Sequence, residues 1–566
     1  MQDYEEAVLF LGIWGPFQRR IFFLLCLSCV PCGYNLMSVI FLLATPSHHC
    51  HIPAHSNLSQ GWIQASIPVQ EVGRLERSSC SRYELDAVKN LSALGPTPDP
   101  DWIQNHSAPG PGLKLEECKD GWSYSTEYYP STVVTEFDLV CSEQWKQPLT
   151  SFFYFLGGLC GCFVSGQISD RFGRKPVLFG SIAILSVFSI TVASAPSWPI
   201  FTVLFFLLGV GQIACYIVAF VLGSEILVGS TRVLFCSLFL PFTYTFAMML
   251  MPGAAYLVRS WRHLSLTMAV PGLACLPLWW MVPESPRWLV SRGRLLEAEM
   301  VLRSAALENR VEAPLVIFSS ETPEKVEIQK PEPLSCIDLL KTVNIRHVTI
   351  TLWLIWFSMN LSYFGLSFSM SSLDGNPFLN YFLITAVEFP AYIASWVAAC
   401  KLPRRFSFIS FSLLGALALL FLQLTVNGHP AITLSLVLLG KFGVMAGSGV
   451  LYIYTGELFP TVIRNTAMSS CAMFSRLGSA ASTYLLELAT VHELLPWIVV
   501  GSLSLLSVVL CIFLPETFRQ LLPDTIPQMP QAHCFRRPRT SSTLPEDEEK
   551  TKDQTMAPEI ICTARL

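Results

Sequence analysis

Charge is scarce in this 566-residue chain: 14% of its residues are Asp, Glu, Lys or Arg, against roughly 25% in soluble proteins. Apolar residues make up 52% and the mean hydropathy is +0.48, so too little charged surface remains to clothe a water-soluble particle of 63.0 kDa. Lipid must be part of the solvent. A basic excess is missing as well. The 37 Lys and Arg stand against 41 Asp and Glu, a net charge of -4, which excludes a strongly basic nucleic-acid binder. The apolar stretches hold no paired aspartates, histidine clusters or nucleophile motif, which argues against an intramembrane enzyme, and no metal site is expected. The N-terminal residues include Asp3, Glu5 and Glu6 and no small-residue cleavage site, so the first apolar run is expected to be retained rather than removed as a signal peptide.

Cysteine is plentiful but unevenly placed. Of 18 cysteines, four (Cys50, Cys80, Cys118 and Cys141) lie in the one long polar segment between the first two apolar runs. The other fourteen fall in apolar stretches or in segments assigned to the cytosol, where a free thiol behaves as a small hydrophobe. The same polar segment carries three N-glycosylation acceptor patterns, at Asn57, Asn90 and Asn105. Disulfides and glycans both need an oxidising exterior, so residues 44–148 are expected outside the cell. Four cysteines allow three connectivities, and spacing does not choose among them. A further pattern at Asn360 falls inside an apolar run and is not read as a glycan site.

A membrane-spanning helix needs roughly 20 apolar residues. Candidates lie at 21–43, 149–168, 176–195, 199–220, 233–255 and 264–282, then at 348–370, 378–398, 407–425, 430–454, 466–488 and 494–514. The expected fold is an all-α membrane protein of twelve transmembrane helices in two six-helix halves. Its parts are an N-terminal segment 1–20, a first half 21–282 that includes the 44–148 loop, a linker 283–347, a second half 348–514 and a tail 515–566. With the first loop outside and an even number of spans, both termini and the linker are cytosolic. That side then receives Arg171, Arg174, Lys175, Arg287, Arg292, Arg294, Arg404 and Arg405, as the positive-inside bias requires. In the linker, Leu295, Ala298, Val301 and Leu302 recur at helical spacing. The tail, with Pro-Glu-Asp-Glu-Glu-Lys and few apolar residues, has a composition that cannot bury a core.

Two halves of this kind rock about a central site, and short motifs supply the parts of a gate. Gly166 to Lys175 follows the second span as Gly-Gln-Ile-Ser-Asp-Arg-Phe-Gly-Arg-Lys, where glycines permit a tight turn and Asp170, Arg171 and Arg174 can latch neighbouring helix ends. Leu402-Pro403-Arg404-Arg405 is a weaker counterpart in the second half. Pro283-Glu284-Ser285 after the sixth span is answered by Pro515-Glu516-Thr517 after the twelfth. Glu225 with Arg232 after the fourth span is answered by Glu457 with Arg464 after the tenth. The recurrence itself is evidence of an internal repeat.

The Gly166–Lys175 string resembles the signature loop of the major facilitator superfamily. Within it, the chain resembles the organic cation and carnitine transporter family, solute carrier 22, from Trp14-Gly15-Pro16-Phe17-Gln18-Arg19 to Leu522-Pro523-Asp524-Thr525. The carnitine and zwitterion branch is the most similar, through Gly211-Gln212-Ile213, Tyr363-Phe364-Gly365, Gly440-Lys441-Phe442 and Ser475-Arg476-Leu477. The resemblance implies a multi-pass plasma-membrane protein that moves small organic cations, zwitterions or anions by alternating access. Its partners are a small molecule and the bilayer; no cofactor is implied, and sodium or proton coupling stays open. Cation-selective members look to carry an aspartate at the Arg476 position, so the charge here is reversed. Where carnitine members read Gly-Gln-Ile-Ser-Asn-Tyr, this chain has Gln212-Ile213-Ala214-Cys215-Tyr216, without the asparagine.

Charges inside spans are costly and face a cavity or a partner. Glu388, Lys441 and Arg476 are the three that stand out. Arg476 lies about 15 Å into its span at 1.5 Å per residue, where a planar fork would hold a carboxylate in two parallel bonds. The alternative is an Arg476–Glu388 salt bridge with no substrate role. Trp356, Asn360 and Tyr363 share one helical face; with Tyr216 the aromatics can cage an ammonium group. The candidate substrate site is therefore Arg476, Trp356, Tyr216, Tyr363, Gln212, Lys441 and Glu388. The expected function is carriage of carnitine- or betaine-like zwitterions and cations. An organic anion or polyspecific cation carrier is the first alternative, and a non-transporting receptor or regulatory protein on the same fold the second.

Overall fold

The computed structural model describes residues 8–518 apart from 73, 94–113, 315–316, 319–337, 371–372, 374, 426–429, 461–462, 490–491 and 493. Asn105 and most of the 515–566 tail lie outside the described residues. Twelve membrane helices follow in order: α1 (Pro16–Leu42), α2 (Lys146–Phe172), α3 (Arg174–Val192), α4 (Trp198–Ile226), α5 (Gly229–Leu257) and α6 (Trp261–Cys275), then α7 (Val343–Ser369), α8 (Pro377–Lys401), α9 (Arg404–Thr425), α10 (Pro430–Leu458), α11 (Arg464–Ser482) and α12 (Leu495–Ile512).

Ten of these are long and apolar enough to cross a membrane; α6 and α11 are the two that are not. The α6 helix runs 15 residues before tightening into a 3-10 turn over Leu276–Trp280. The α11 helix has Arg464, Arg476 and five serines among its 19 residues, so it belongs inside the bundle rather than against lipid. Both end short of the 264–282 and 466–488 expected from hydropathy, whereas α4 and α10 run beyond theirs to Ile226 and Leu458. Hydropathy cannot see a helix end that carries charged gate residues. The α1 helix is broken at Cys29 and Met37, next to Pro31, which has no N–H to donate.

The halves repeat one packing scheme. In the first, α1 packs on α5 and α6, α2 on α4, and α3 on α4 and α6; in the second, α7 packs on α11 and α12, α8 on α10, and α9 on α10 and α12. Missing side chains permit the closest approaches. A methyl group on Gly157, Gly161 or Gly209 would collide with the backbone across the α2–α4 contact, and Gly415 and Gly443 play that part between α9 and α10. The halves meet where α2 faces α11 and α5 faces α8.

The two ends of the bundle differ. On the face that bears the 44–148 segment (the loop face), aromatic rings bridge the halves: Phe41 stacks on Phe378 with centroids 5.9 Å apart and meets Tyr381 edge-on at 5.2 Å, while Phe155 meets Phe364 at 4.8 Å. At the opposite face, which carries the linker, the buried cluster under α1–α6 draws only on the first half and linker. Among the described residues no ion pair joins the two halves.

Disulfides Cys50–Cys118 and Cys80–Cys141 select one of the three connectivities. Three short antiparallel ladders accompany them, β1 (His48–Cys50) with β6 (Trp122–Tyr124), β2 (Val69–Val72) with β3 (Arg74–Arg77), and β4 (Ser81–Tyr83) with β5 (Leu115–Glu117). Buried Arg82 ties this segment together through Glu116, Asp120 and the His51 carbonyl. Asn57 and Asn90 are exposed, as a glycan acceptor requires. Cys400, at the end of α8, is disulfide-bonded rather than the free thiol expected there.

Glu136 clamps this segment to α6, accepting from Trp261 Nε1 at 2.7 Å and from the Arg262 guanidinium. Burial alone would push its carboxyl up, but the Arg262 and Trp261 bonds outweigh it and hold the group below the usual carboxylate range. A carboxyl depressed in the folded state contributes stability above its ordinary pKa of about 4.3 and loses it as pH falls through the depressed value. Thermal unfolding of the purified chain between neutral and acidic pH should therefore fall more steeply than that of Glu136→Gln. Parallel curves would show that the clamp contributes nothing.

In the linker, the Pro286–Ser291 and Leu295–Asn309 helices pack under the first half. Ala298, Leu302 and Ala305 are buried, whereas Leu295 is exposed, so the inward stripe is shifted from the expected one. Asn309 pins the N-terminal segment, accepting from Phe17 N–H at 2.8 Å and donating to Leu11 O at 3.0 Å and Gln18 Oε1 at 2.8 Å.

Candidate functional site

At the linker face each half builds the same cradle. Gly173 has φ 111, and a side chain there would collide with Glu284. Its absence lets Glu284 Oε1 accept from the first N–H groups of α3, Arg174 at 2.9 Å and Lys175 at 3.2 Å. A carboxylate is well placed at a helix N-terminus. The Arg174 side chain then reaches Glu225 at 3.1 Å and Asp170 at 2.6 Å. In the second half Glu516 accepts from Arg404 N–H at 2.8 Å and Arg405 N–H at 3.1 Å, and the Arg404 side chain reaches Glu457 at 3.0 Å. The spacings agree: Arg174 to Glu225 is 51 residues and Arg404 to Glu457 is 53.

The Leu402–Arg405 string, read as the weaker counterpart, thus forms the complete cradle. One carboxylate takes the backbone N–H groups and a second takes the guanidinium, and in the second half both are placed without the glycine and aspartate of the first string. Asp170 has no acidic equivalent. It is largely exposed, and its carbonyl accepts from Trp288 Nε1 at 2.8 Å and from Arg292. Arg171 lies exposed over the Phe172 ring and joins no ion pair among the described residues. Glu225 and Glu457 are held by Arg174 and Arg404 rather than by Arg232 and Arg464, the arginines that follow them in sequence. Arg464 Nε donates to the Phe459 carbonyl at 3.3 Å.

Within the bundle, Glu388 opens the second segment of α8, just past a break at Val387. Its partner is Lys441, at 3.4 Å, and both side chains are 1% exposed. Tyr363 OH donates to Glu388 at 2.6 Å, and Thr245 OH does so from the other half at 3.2 Å. Lys441 Nζ donates to Ser367 Oγ at 2.9 Å and to the Tyr363 carbonyl at 3.3 Å, and lies 3.2 Å from the Tyr363 ring centre. Glu388 therefore makes its ion pair with Lys441, not with Arg476. The Tyr363 hydroxyl, offered as part of an ammonium cage, is engaged by the same pair.

Arg476 stands apart. It is half-buried on α11, twelve residues past Arg464 and so roughly 18 Å along the helix, somewhat beyond the depth estimated from hydropathy. Among the described residues no carboxylate lies within ion-pair distance of it. Its guanidinium neighbours the Cys162 thiol of α2, in the opposite half. The next turn of α11 is tied to α7, since Asn360 donates to Ser475 Oγ and accepts from Ser479 at 3.1 Å. Gln212 is buried, its amide donating to the Cys32 carbonyl and to Tyr244 OH, each at 3.2 Å.

Aromatic rings converge from both halves. Tyr216 meets Tyr244 edge-on at 5.1 Å, and Trp356 meets Tyr452 edge-on at 6.2 Å with its indole N–H on Thr455 at 3.1 Å. Tyr216 and Tyr452 are neighbours from opposite halves. The candidate residues thus fall into two groups. Arg476 lies on α11 beside Cys162 of the other half, with Tyr216 and Trp356 in the aromatic set and Gln212 held within the first half; Glu388, Lys441 and Tyr363 form a closed cluster that Thr245 joins from the first half. Sequence reasoning missed Tyr244, Tyr452, Thr245 and Ser367. Nothing distinguishes two more tyrosines in apolar helices until the helices are packed.

Two six-helix halves, matching charge cradles at one face and a polar, aromatic-lined interface between them define a multi-pass membrane carrier. The chain belongs to the sugar (and other) transporter family, whose model matches residues 118–524, and is a transporter rather than an enzyme. It is 45% identical over 530 residues to organic cation/carnitine transporter 2 of Rattus norvegicus, covering 94% of each chain. It is 44% identical to the Homo sapiens protein of that name, with 96% of each covered, and 42% identical to solute carrier family 22 member 4 of Mus musculus, with 98% and 99% covered. Among solved structures it matches the inward open xylose transporter XylE from E. coli, with a TM-score of 0.59 over 89% of this chain and 98% of that one. At 15% identity that likeness shows the fold alone.

Proposed function

We propose that this protein is a plasma-membrane secondary carrier of small zwitterions of the carnitine or betaine kind, working by alternating access. The observation that carries the reading is Arg476, a half-buried guanidinium between the halves with no carboxylate partner among the described residues, while the other two intramembrane charges neutralise each other. A substrate carboxylate completes Arg476 through paired charge-assisted bonds. The ammonium end then rests against Tyr216 and Trp356, where aromatic faces attract a weakly hydrated cation. The names of the relatives support the same substrate class. Uptake of labelled carnitine, a tetraalkylammonium and an organic anion into cells expressing the chain tests it. Saturable carnitine uptake that betaine inhibits is expected; uptake of the anion alone would overturn the reading.

In this reading the loop face is extracellular and both termini are cytosolic, which puts the Cys50–Cys118 and Cys80–Cys141 disulfides and exposed Asn57 and Asn90 in the oxidising compartment. Glycosidase treatment should increase the gel mobility of the full chain, and an unchanged mobility together with an inaccessible tag near Asn90 would reverse the orientation. The rings that bridge the halves on the loop face and the lack of cross-half ion pairs among the described residues support an inward-facing state. The cradles of Glu284 and Glu516 are then hinges within each half, and Asp170, Arg174, Glu225, Arg404 and Glu457 set the approach of the halves on closure. Asp170→Asn removes one partner of Arg174 at an exposed position, so surface expression should persist while maximal velocity falls. A normal velocity would remove Asp170 from the gate.

A further inference from the structure

A cavity lies at the loop face, and Arg476 is not among its described lining residues. Its volume is about 440 Å³, and its walls come from both halves: α1, residues 125–129 and the start of α2 on one side, the end of α7, the start of α8 and residues 483–487 on the other. Tyr381, whose ring meets Phe41 across the halves, is one of its walls, and Gln212, Tyr216 and Trp356 are likewise not among its described lining residues. Its chemistry is one-sided. Glu127 and Glu487 line it with the rings of Tyr128, Tyr129, Phe368 and Tyr381, and no Lys, Arg or His is among the described lining residues. Glu127 is exposed, so the cavity opens to the solvent of that face.

We propose that this vestibule is a separate binding site for organic monocations with an apolar body, and that occupying it holds the carrier closed on the loop face. Carboxylates at the mouth supply the countercharge, and the tyrosine and phenylalanine rings take a weakly hydrated ammonium and its alkyl groups, the chemistry of desolvated cation–π contact. Because the walls belong to both halves, the cavity has this shape only while the loop-face ends are together. Rocking the halves apart removes one wall, so a ligand bound there favours the closed form by its differential affinity. A zwitterion is disfavoured, since its carboxylate would face Glu127 and Glu487 with no basic group among the described lining residues to receive it. Inhibition from this site lowers maximal velocity and is not overcome by more substrate.

The inference goes beyond the proposed substrate and is tested without relying on it. Tetrabutylammonium is added to the purified full-length chain and the shift in unfolding temperature is titrated in the wild type, in Arg476→Ala and in Glu127→Gln/Glu487→Gln. Stabilisation is expected to survive Arg476→Ala and to need about tenfold more ligand in the glutamate variant, a change of about 1.4 kcal/mol. An uncharged isostere with carbon in place of the ammonium nitrogen should not stabilise. Equal half-maximal concentrations in the wild type and the glutamate variant would overturn the site and assign the cation to the centre. Glu127→Gln alone, at an exposed position, provides the same comparison if the double variant folds poorly. Where zwitterion uptake is present, tetrabutylammonium applied outside should lower its maximal velocity, and purely competitive inhibition would remove the conformational role.

Discussion

Arg476→Ala is expected to weaken a carnitine-like zwitterion about ten- to a hundred-fold while leaving a simple quaternary cation of similar size nearly unaffected. A charge-assisted bidentate pair in a partly dry interface is worth roughly 1.5 to 3 kcal/mol, and each 1.4 kcal/mol is about tenfold in affinity. Arg476 has no carboxylate among the described residues to compensate it, so the substrate carboxylate would be its main counter-ion. The cation has no carboxylate to lose, and removing a positive charge from the interface favours it. Arg476→Lys should recover only part of the loss, because an ammonium is a point charge without the planar fork. Half-saturating concentrations for the two substrates, measured side by side in the alanine variant, decide the matter. If both substrates lose affinity equally, Arg476 holds α11 in place and does not select charge.

Lys441→Met should produce the largest loss of folded protein. Glu388 and Lys441 are each 1% exposed and 3.4 Å apart, and removing one member of a buried pair leaves an uncompensated charge at a cost of about 3 to 5 kcal/mol. Against a total stability of about 5 to 15 kcal/mol, that is enough to deplete the carrier from the cell surface. Replacing both charges is a different matter. In Lys441→Met/Glu388→Gln the amide can still accept from Tyr363 and Thr245, and folding should largely return. Surface biotinylation and detergent-solubilised melting temperatures read this directly. A single variant as stable as the wild type would mean that the pair is not neutralised as the geometry has it. Zwitterion affinity in the double variant separates the two roles: unchanged affinity assigns the pair to packing, and lost affinity returns it to the substrate site.

Much of the architecture was legible in residue order. The paucity of charge, twelve apolar runs in two sets of six, and the recurrence of Pro283-Glu284 with Pro515-Glu516 mark a two-half membrane bundle. Local chemistry is enough for that, because a span that faces lipid must be apolar over its own length. The ends were less legible, since α11 mixes Arg476 with serines and reads as polar until its neighbours supply the partners.

The candidate site was legible as a set of residues but not as a set of pairs. Arg476, Glu388 and Lys441 are each conspicuous in apolar helices, and that much follows from the cost of burying a charge. Which of them neutralise one another depends on distances across helices far apart in the chain. Packing α8 against α10 joined Glu388 to Lys441, and packing α11 against α2 left Arg476 at the boundary between the halves. The four cysteines of the 44–148 segment show the same division. Their place in one polar loop between spans followed from composition, whereas the choice of Cys50 with Cys118 and Cys80 with Cys141 came only from folded geometry, because a disulfide forms between whichever sulfurs the fold brings together.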